Sequence, residues 1–270
     1  MKSINRLFII VAAAFLMQAC GGASKTDNPN FIKVGVTSGP ERELAEAAKK
    51  VAAEKYNLDV ELIIFNDYVV PNEALSNGDI DVNIFQHEPY LNEQSSKRGY
   101  KLAVVGKTFV FPIIGYSKKI KNINELGDGN TVAIPNDPTN GGRSLLLLQR
   151  YGLLKLKSGI GLLPRVTDII ENPKNLKILE IEAPQLSRVL DDKEVTMAII
   201  NNNFAVQAGL DANEYGIMKE DKESPYVNVI VSREDNKEQE KVKNFVKAYQ
   251  SEEVLRAAEK AFKGGAVQGW

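Results

Sequence analysis

The chain has 270 residues, 43% of them hydrophobic and 26% charged, with 34 Lys and Arg against 35 Asp and Glu and a formal net charge of −1. That is apolar material for one large domain or two lobes of roughly 100 to 150 residues, with no basic excess that would draw nucleic acid. One cysteine and one histidine, Cys20 and His87, exclude an internal disulfide and a zinc site built on paired histidines.

The first nineteen residues read as a secretory signal. Lys2 and Arg6 give a basic start, Leu7 to Met17 form an uncharged apolar run, and Ala19 is a small residue ahead of a cut. Eleven residues are too few to cross a bilayer, which takes about 20. Cys20, directly after Ala19, resembles the lipidated cysteine of the bacterial lipobox, although Met17 and Gln18 stand where that pattern prefers Leu and a small residue. Lipidation also accounts for a lone cysteine in an exported chain. The expectation is a signal peptide over 1–19, a lipid anchor at Cys20, and a flexible tether over 20–30 that ends in Asn28-Pro29-Asn30. Such a protein is held at a cell membrane and faces the periplasm or the exterior. Loss of Lys2 and Arg6 leaves the mature chain at a net charge of about −3.

Beyond the tether the pattern alternates. Ile32 to Val36 reads as a strand, Thr37-Ser38-Gly39-Pro40 as a turn, and a helix starts near Glu41 with Leu44, Ala47, Ala48, Val51 and Ala52 on one stripe and acids in its first turn. Val60 to Phe65 is the next strand, so the three form a βαβ unit with a parallel pair. A short helix over Pro71 to Asn77, a strand over Ile80 to Phe85, a helix from Glu88 to Arg98 and a strand from Lys101 to Val105 follow. Phe111 to Tyr116 and Thr131 to Ile134 are further strands, and Gly141 to Tyr151 is a helix. Leu176 to Ile181, Val195 to Ile200 and Asn228 to Val231 are strands, and helices over Lys237 to Gln250 and Glu252 to Phe262 close the chain. The fold class is α/β, with ligand sites expected where strands end in loops.

Signatures of catalysis are absent. There is no Gly-x-Ser-x-Gly elbow and no phosphate-cradling glycine loop. His87-Glu88-Pro89-Tyr90 lacks a second histidine, and no nucleophile stands near His87 in sequence. No cofactor is implied, and the expectation is a protein that binds without transforming.

Three clusters suit binding. Asn136 to Arg143 joins a strand to a helix, with Pro138 and the Gly141-Gly142 pair read as a loop that admits a ligand close to backbone. Arg143, read in the helix's first turn, opposes the dipole there, a cost that makes sense if it and the free N–H groups converge on a carboxylate. Asn83 to Leu91 sets Phe85, His87 and Tyr90 at a strand's end, with Tyr68 after the preceding strand, as rings that could enclose an apolar side chain. Asn201-Asn202-Asn203 ends one strand and Asn228 begins another, and amides can accept from an ammonium or donate to a carboxylate. Each cluster also has an ordinary reading: a solvated arginine, core aromatics, turn asparagines.

Together these stretches resemble one family, the D-methionine/L-methionine-binding lipoproteins of ABC importers (NlpA-type substrate-binding lipoproteins). The resemblance rests on Lys33-Val34-Gly35-Val36-Thr37, Asn83 to His87 with Pro89-Tyr90-Leu91, Ile134 to Asp137 with Arg143, and Ala198 to Asn201. Ser224 to Asn228 and the closing Gly264 to Trp270 extend it over nearly all of the mature chain. It implies a two-lobed periplasmic-binding-protein fold, type II-like, with 31–108 plus 227–270 as one lobe and 109–226 as the other. The chain would cross between them near 106–112 and 224–230. It also implies L- or D-methionine bound in the cleft and delivery to an ABC permease with its ATPase. By position, Arg143 would pair with the ligand carboxylate beside Asn140. Asn201 and Asn228 would hold the amino and carboxyl groups, and Tyr68, Phe85, His87 and Tyr90 would surround the thioether. No acid is evident for the ammonium, which leaves it to asparagines and backbone carbonyls. Another small amino acid or a methionine-containing dipeptide as ligand stays open, as does a surface adhesin or structural lipoprotein with no small ligand.

Overall fold

The computed structural model describes residues 28–221, 224–263 and 265–270; the predicted signal segment, Cys20 and tether residues 21–27 lie outside the described residues. Two mixed sheets organise the fold. The first holds β1 (Phe31–Thr37), β2 (Asp59–Phe65), β3 (Val82–His87), β4 (Leu102–Val110), β12 (Val227–Arg233) and β13 (Val267–Gln268), in the order β13-β4-β12-β3-β1-β2. The second holds β5 (Ile114–Tyr116), β6 (Thr131–Pro135), β9 (Lys177–Ile181), β10 (Val195–Ile200) and β11 (Gly216–Lys219), in the order β11-β5-β10-β6-β9. A two-stranded ribbon, β7 (Lys155–Leu156) with β8 (Ile169–Glu171), lies apart from both.

Helix α1 (Pro40–Tyr56) links β1 to β2, which pair in parallel as the βαβ pattern requires. Pro40 starts it with a preset φ, and Asn57, at φ 48°, ends it in a left-handed turn. Its buried stripe of Leu44, Ala45, Ala48, Val51 and Ala52 packs on Ile32, Val34 and Val60 of the sheet. The closing helices α7 (Glu240–Tyr249) and α8 (Glu252–Phe262) add Phe245, Val254 and Phe262 to that core. A second core forms around Val132, Ile134, Leu145, Leu148, Met197 and Ile199. Helices α2 (Val70–Asn77) and α3 (Glu88–Arg98) flank β3, and α4 (Pro138–Arg150) follows β6. Two short helices, α5 (Asn202–Gln207) and α6 (Ala212–Tyr215), precede β11.

The chain passes between the sheets twice, between Val110 and Ile114 and between Lys219 and Val227. Here the expected strand over Phe111 to Tyr116 is corrected. β4 runs on to Val110 and β5 starts only at Ile114. Pro112 cannot donate to a ladder, and Phe111 turns away to stack on Phe109 and Phe262.

A second correction concerns α4. It starts at Pro138, not at Gly141, because Asp137 caps it and accepts from Asn140 N at 2.9 Å. Arg143 therefore lies in the second turn and does not oppose the helix dipole. The Gly141-Gly142 pair is helix rather than ligand loop. A Cβ on Gly141 would sit 2.7 Å from the Pro135 carbonyl oxygen, and one on Gly142 would sit 2.9 Å from that of Leu162. The glycines let the helix press onto the end of β6 and onto the 162–164 segment.

Candidate functional site

The sheet order brings the chemistry to one place. The parallel strands β1 and β3 end at Thr37 and His87, and antiparallel β12 begins beside them, with Asn228 in register with His87. On the facing sheet, parallel β6 and β10 end at Pro135 and Ile200. Strand ends at such a switch of direction form the crevice where α/β proteins bind ligands. All eight residues expected to bind, Tyr68, Phe85, His87, Tyr90, Asn140, Arg143, Asn201 and Asn228, line one cleft of about 380 Å³.

One wall is aromatic. Tyr68 stands between Phe85 and Phe204, with ring centroids 5.8 and 4.9 Å away, and Tyr90 meets Phe85 edge-on at 6.0 Å. The phenol tips are tied down, Tyr90 donating to the Tyr68 carbonyl oxygen at 2.9 Å and Tyr68 to Asn203 Oδ1 at 2.6 Å. The inner ring faces can thus take an apolar side chain without stranding a hydroxyl.

His87 marks the border between rings and amides. It caps α3, and its Nδ1 accepts from Tyr90 N at 3.1 Å, so the ring proton sits on Nε2, 3.2 Å from Asn140 Oδ1. Burial, then the nearby Arg143 charge, lower its pKa to about 3, so it stays neutral. The same Asn140 Oδ1 accepts from Asn201 Nδ2 at 2.9 Å, while Asn140 Nδ2 donates to both carboxylate oxygens of Asp137. Asn140 is therefore committed within the site. It orients His87 and Asn201 rather than offering a free hand to a ligand.

Arg143 is buried, at 4% exposure, and makes an ion pair with Glu220: Nε donates to Oε1 at 2.9 Å and Nη2 to Oε2. Nη2 also donates to the Phe111 carbonyl oxygen at 3.0 Å, and the guanidinium lies 4.4 Å from the centre of the Tyr226 ring. On the opposite wall Glu41 is buried at 3% exposure. Its carboxyl accepts from the Thr37 hydroxyl and from Asn228 Nδ2, the latter at 3.2 Å. Burial outweighs both bonds and pushes its pKa up to about 8.

Two buried polar atoms of the cleft residues have no hydrogen-bond partner among the described residues, Asn201 Oδ1 and Asn203 Nδ2. One accepts and one donates, and orphans of this kind are uncommon in a folded interior. A ligand bearing both an ammonium and a carboxylate answers both.

Several cleft residues escape a reading of the sequence. Glu41 looks there like a routine helix-dipole acid, yet it supplies the acid facing the cleft that the sequence reading lacked. Glu220 and Tyr226, which hold Arg143 from outside the cleft lining, carry no motif. Phe111, read as part of a strand, also lines the cleft, together with Gln86, Asn202 and Asn203 of the clusters that the sequence singles out. Behind the aromatic wall, Asn72, Asn83 and Gln86 form a closed set of amide bonds between 2.6 and 3.0 Å that ties α2 to β3.

Comparison with known proteins agrees with this arrangement. The D-methionine-binding lipoprotein MetQ of Escherichia coli K12 is 65% identical over 251 residues, 93% of this chain and 92% of its own length. A crystal structure of the methionine-binding protein MetQ superposes with a TM-score of 0.88 at 66% identity, covering 90% of this chain and 99% of that one. A nutrient-binding protein from Burkholderia cenocepacia, solved bound to methionine, gives a TM-score of 0.86 at 49% identity over 88% of this chain and 100% of its own. A sequence profile of the NlpA lipoproteins matches residues 32–270, and the chain belongs to that family.

Proposed function

We propose that this protein is the substrate-binding lipoprotein of an ABC importer and that it captures methionine, unchanged, in the cleft between its lobes. The observation that carries the ligand class is a cleft with a guanidinium donor at Arg143, a buried carboxyl at Glu41, and a wall of rings at Tyr68, Phe85 and Tyr90. The ligand carboxylate goes to Arg143 and the Asn203 amide, and the ammonium to Glu41, Asn201 Oδ1 and Asn228. The thioether packs on the rings, at about 0.3–1.5 kcal/mol per sulfur–aromatic contact. The methionine named for the similar proteins fits those three demands.

Lobe one is 31–110 with 227–270, since β4 carries Phe109 and Val110 into the first sheet and moves the boundary past the expected 108, lobe two is built around the second sheet, and each passage between the two sheets is a hinge. Closure presents a surface to the permease, whose ATPase drives uptake. No helix among the described residues is long and apolar enough to cross a membrane, and attachment is assigned to a lipid on Cys20. Palmitate labelling of cells is expected to mark the wild-type chain and not Cys20→Ser; label retained by the variant would remove the anchor from Cys20.

Calorimetry on refolded, ligand-stripped protein against a panel of amino acids and dipeptides tests the ligand. Methionine is expected to bind most tightly of the panel. Tighter binding of a residue without a thioether would overturn the assignment. No thermal shift with any of them, and no metabolite in native mass spectra, would favour an adhesin or structural lipoprotein.

A further inference from the structure

The anchor points of Arg143 have a property that ligand binding alone does not require. Arg143 belongs to α4, in the second lobe, but its guanidinium is held by the two segments that join the lobes. The Phe111 carbonyl oxygen lies on the first passage. Glu220 and the Tyr226 ring lie on the second. Glu220 Oε2 also accepts from Ile113 N at 3.3 Å, so this carboxylate touches both passages itself. It is 12% exposed and grips Nε and Nη2, which leaves Nη1 as the guanidinium nitrogen uncommitted among the described residues.

We propose that Glu220 is a positioning and specificity-determining residue: it fixes the Arg143 fork on both interlobe segments and cancels its charge, so that the cleft selects a net-neutral zwitterion over an anion. The inference deepens the methionine reading and rests on it. A buried guanidinium without a counterion would attract any carboxylate, including ligands with no ammonium to offer Glu41. With Glu220 in place the arginine end of the cleft is close to neutral. A carboxylate is then held by the donors of the uncommitted Nη1, and selection falls on ligands that also bring a cation to the opposite wall. Because the same carboxylate spans both passages, ligand contact at Arg143 acts on the hinge region directly.

The test compares methionine with N-acetylmethionine, which keeps the thioether and carboxylate but carries a net negative charge. In Glu220→Gln, methionine affinity is expected to fall about tenfold, the loss of positioning outweighing the gain from a bare charge, while N-acetylmethionine, which gains more from that charge, keeps its affinity. The preference for methionine over N-acetylmethionine is expected to shrink by a similar factor, and Glu220→Asp should retain that preference. Tighter methionine binding in Glu220→Gln would overturn the proposal, because Glu220 would then be a competitor for Arg143 rather than its holder. Unchanged affinity and preference would overturn it as well. A measurement on wild-type protein decides the matter even if the variants fail to fold. The Arg143 Nε–H resonance should be protected from exchange both without and with methionine, and loss of protection on adding methionine would show that Glu220 lets go. Wild-type protein that binds no methionine would defeat the functional reading alone, since Nε–H protection in the free protein still reports the clamp.

Discussion

Arg143→Ala is expected to weaken methionine binding by at least about tenfold, and calorimetry at constant pH and salt reads it directly. The buried ligand carboxylate loses its charge partner, and breaking such a pair typically costs about 3–5 kcal/mol. The same substitution harms the free protein, because Glu220 is left mostly buried without its cation. A penalty of that order corresponds to a melting-temperature drop on the order of 10 °C in a domain this size. The two effects separate in the double variant Arg143→Ala/Glu220→Gln. Neutralising the stranded acid should restore most of the melting temperature and none of the affinity. Wild-type affinity in Arg143→Ala would mean that the carboxylate binds elsewhere in the cleft.

The expected affinity loss does not depend on where the helix begins, although the sequence argument for Arg143 did. In sequence alone Arg143 stands as a cation against a helix dipole, and the fold removes that opposition because Asp137 caps α4 six residues before Arg143. What selects Arg143 is its burial and its neighbours, which the sequence spreads from Phe111 to Tyr226. Long periodic elements were legible: α1, α3 and α8, and strands β1, β2, β6 and β10, stand within a residue or two of where hydrophobic period and punctuation put them. Short elements were not. β11 and β13 have two to four residues each and exist through pairing with β5 and β4, partners roughly 100 to 160 positions away in sequence.

The site divides along the same line. Tyr68, Phe85, His87 and Tyr90 cluster near one strand and one helix, so sequence proximity signals their meeting. Asn140, Asn201 and Asn228 are drawn together only by the order of strands in two sheets. Glu41 was hidden by a local rule that fits it well. Acids are favoured in a helix's first turn, and Glu43, two residues on, obeys that rule in solvent. Nothing in the sequence says that one of the two is buried against Asn228, 187 positions away.

Glu41→Gln is expected to remove the decline in stability between pH 6.5 and 8 and the pH dependence of binding over the same range, as well as weakening methionine affinity. In the free protein burial raises Glu41 from an ordinary 4.5 to about 8. Between those values the native state keeps a proton that the unfolded chain has released, so the wild type is most stable below pH 4.5 as far as this group is concerned. That contribution declines as pH rises toward 8, by several kcal/mol in total. His87, lowered from 6.5 to about 3, acts in the opposite sense, because the unfolded chain binds a proton there that the native state does not, so the two groups offset each other between pH 4.5 and 6.5 and Glu41 governs the decline from 6.5 to 8. Tyr68 and Tyr249 are held well above their ordinary pKa by burial, with Glu41 adding to it, and native His87 is neutral throughout. A ligand ammonium set beside Glu41 favours the carboxylate and draws its pKa back down. At pH 7 methionine binding therefore expels close to one proton, and affinity climbs with pH by up to about tenfold per unit before levelling above 8. Calorimetry at pH 7 in phosphate and in Tris, whose ionisation heats differ, reads that proton as a difference in apparent enthalpy. Glu41→Gln should give equal heats in the two buffers and a flat affinity from pH 6 to 8. Equal heats in the wild type would place the ammonium away from Glu41 and return it to the asparagines and backbone carbonyls alone.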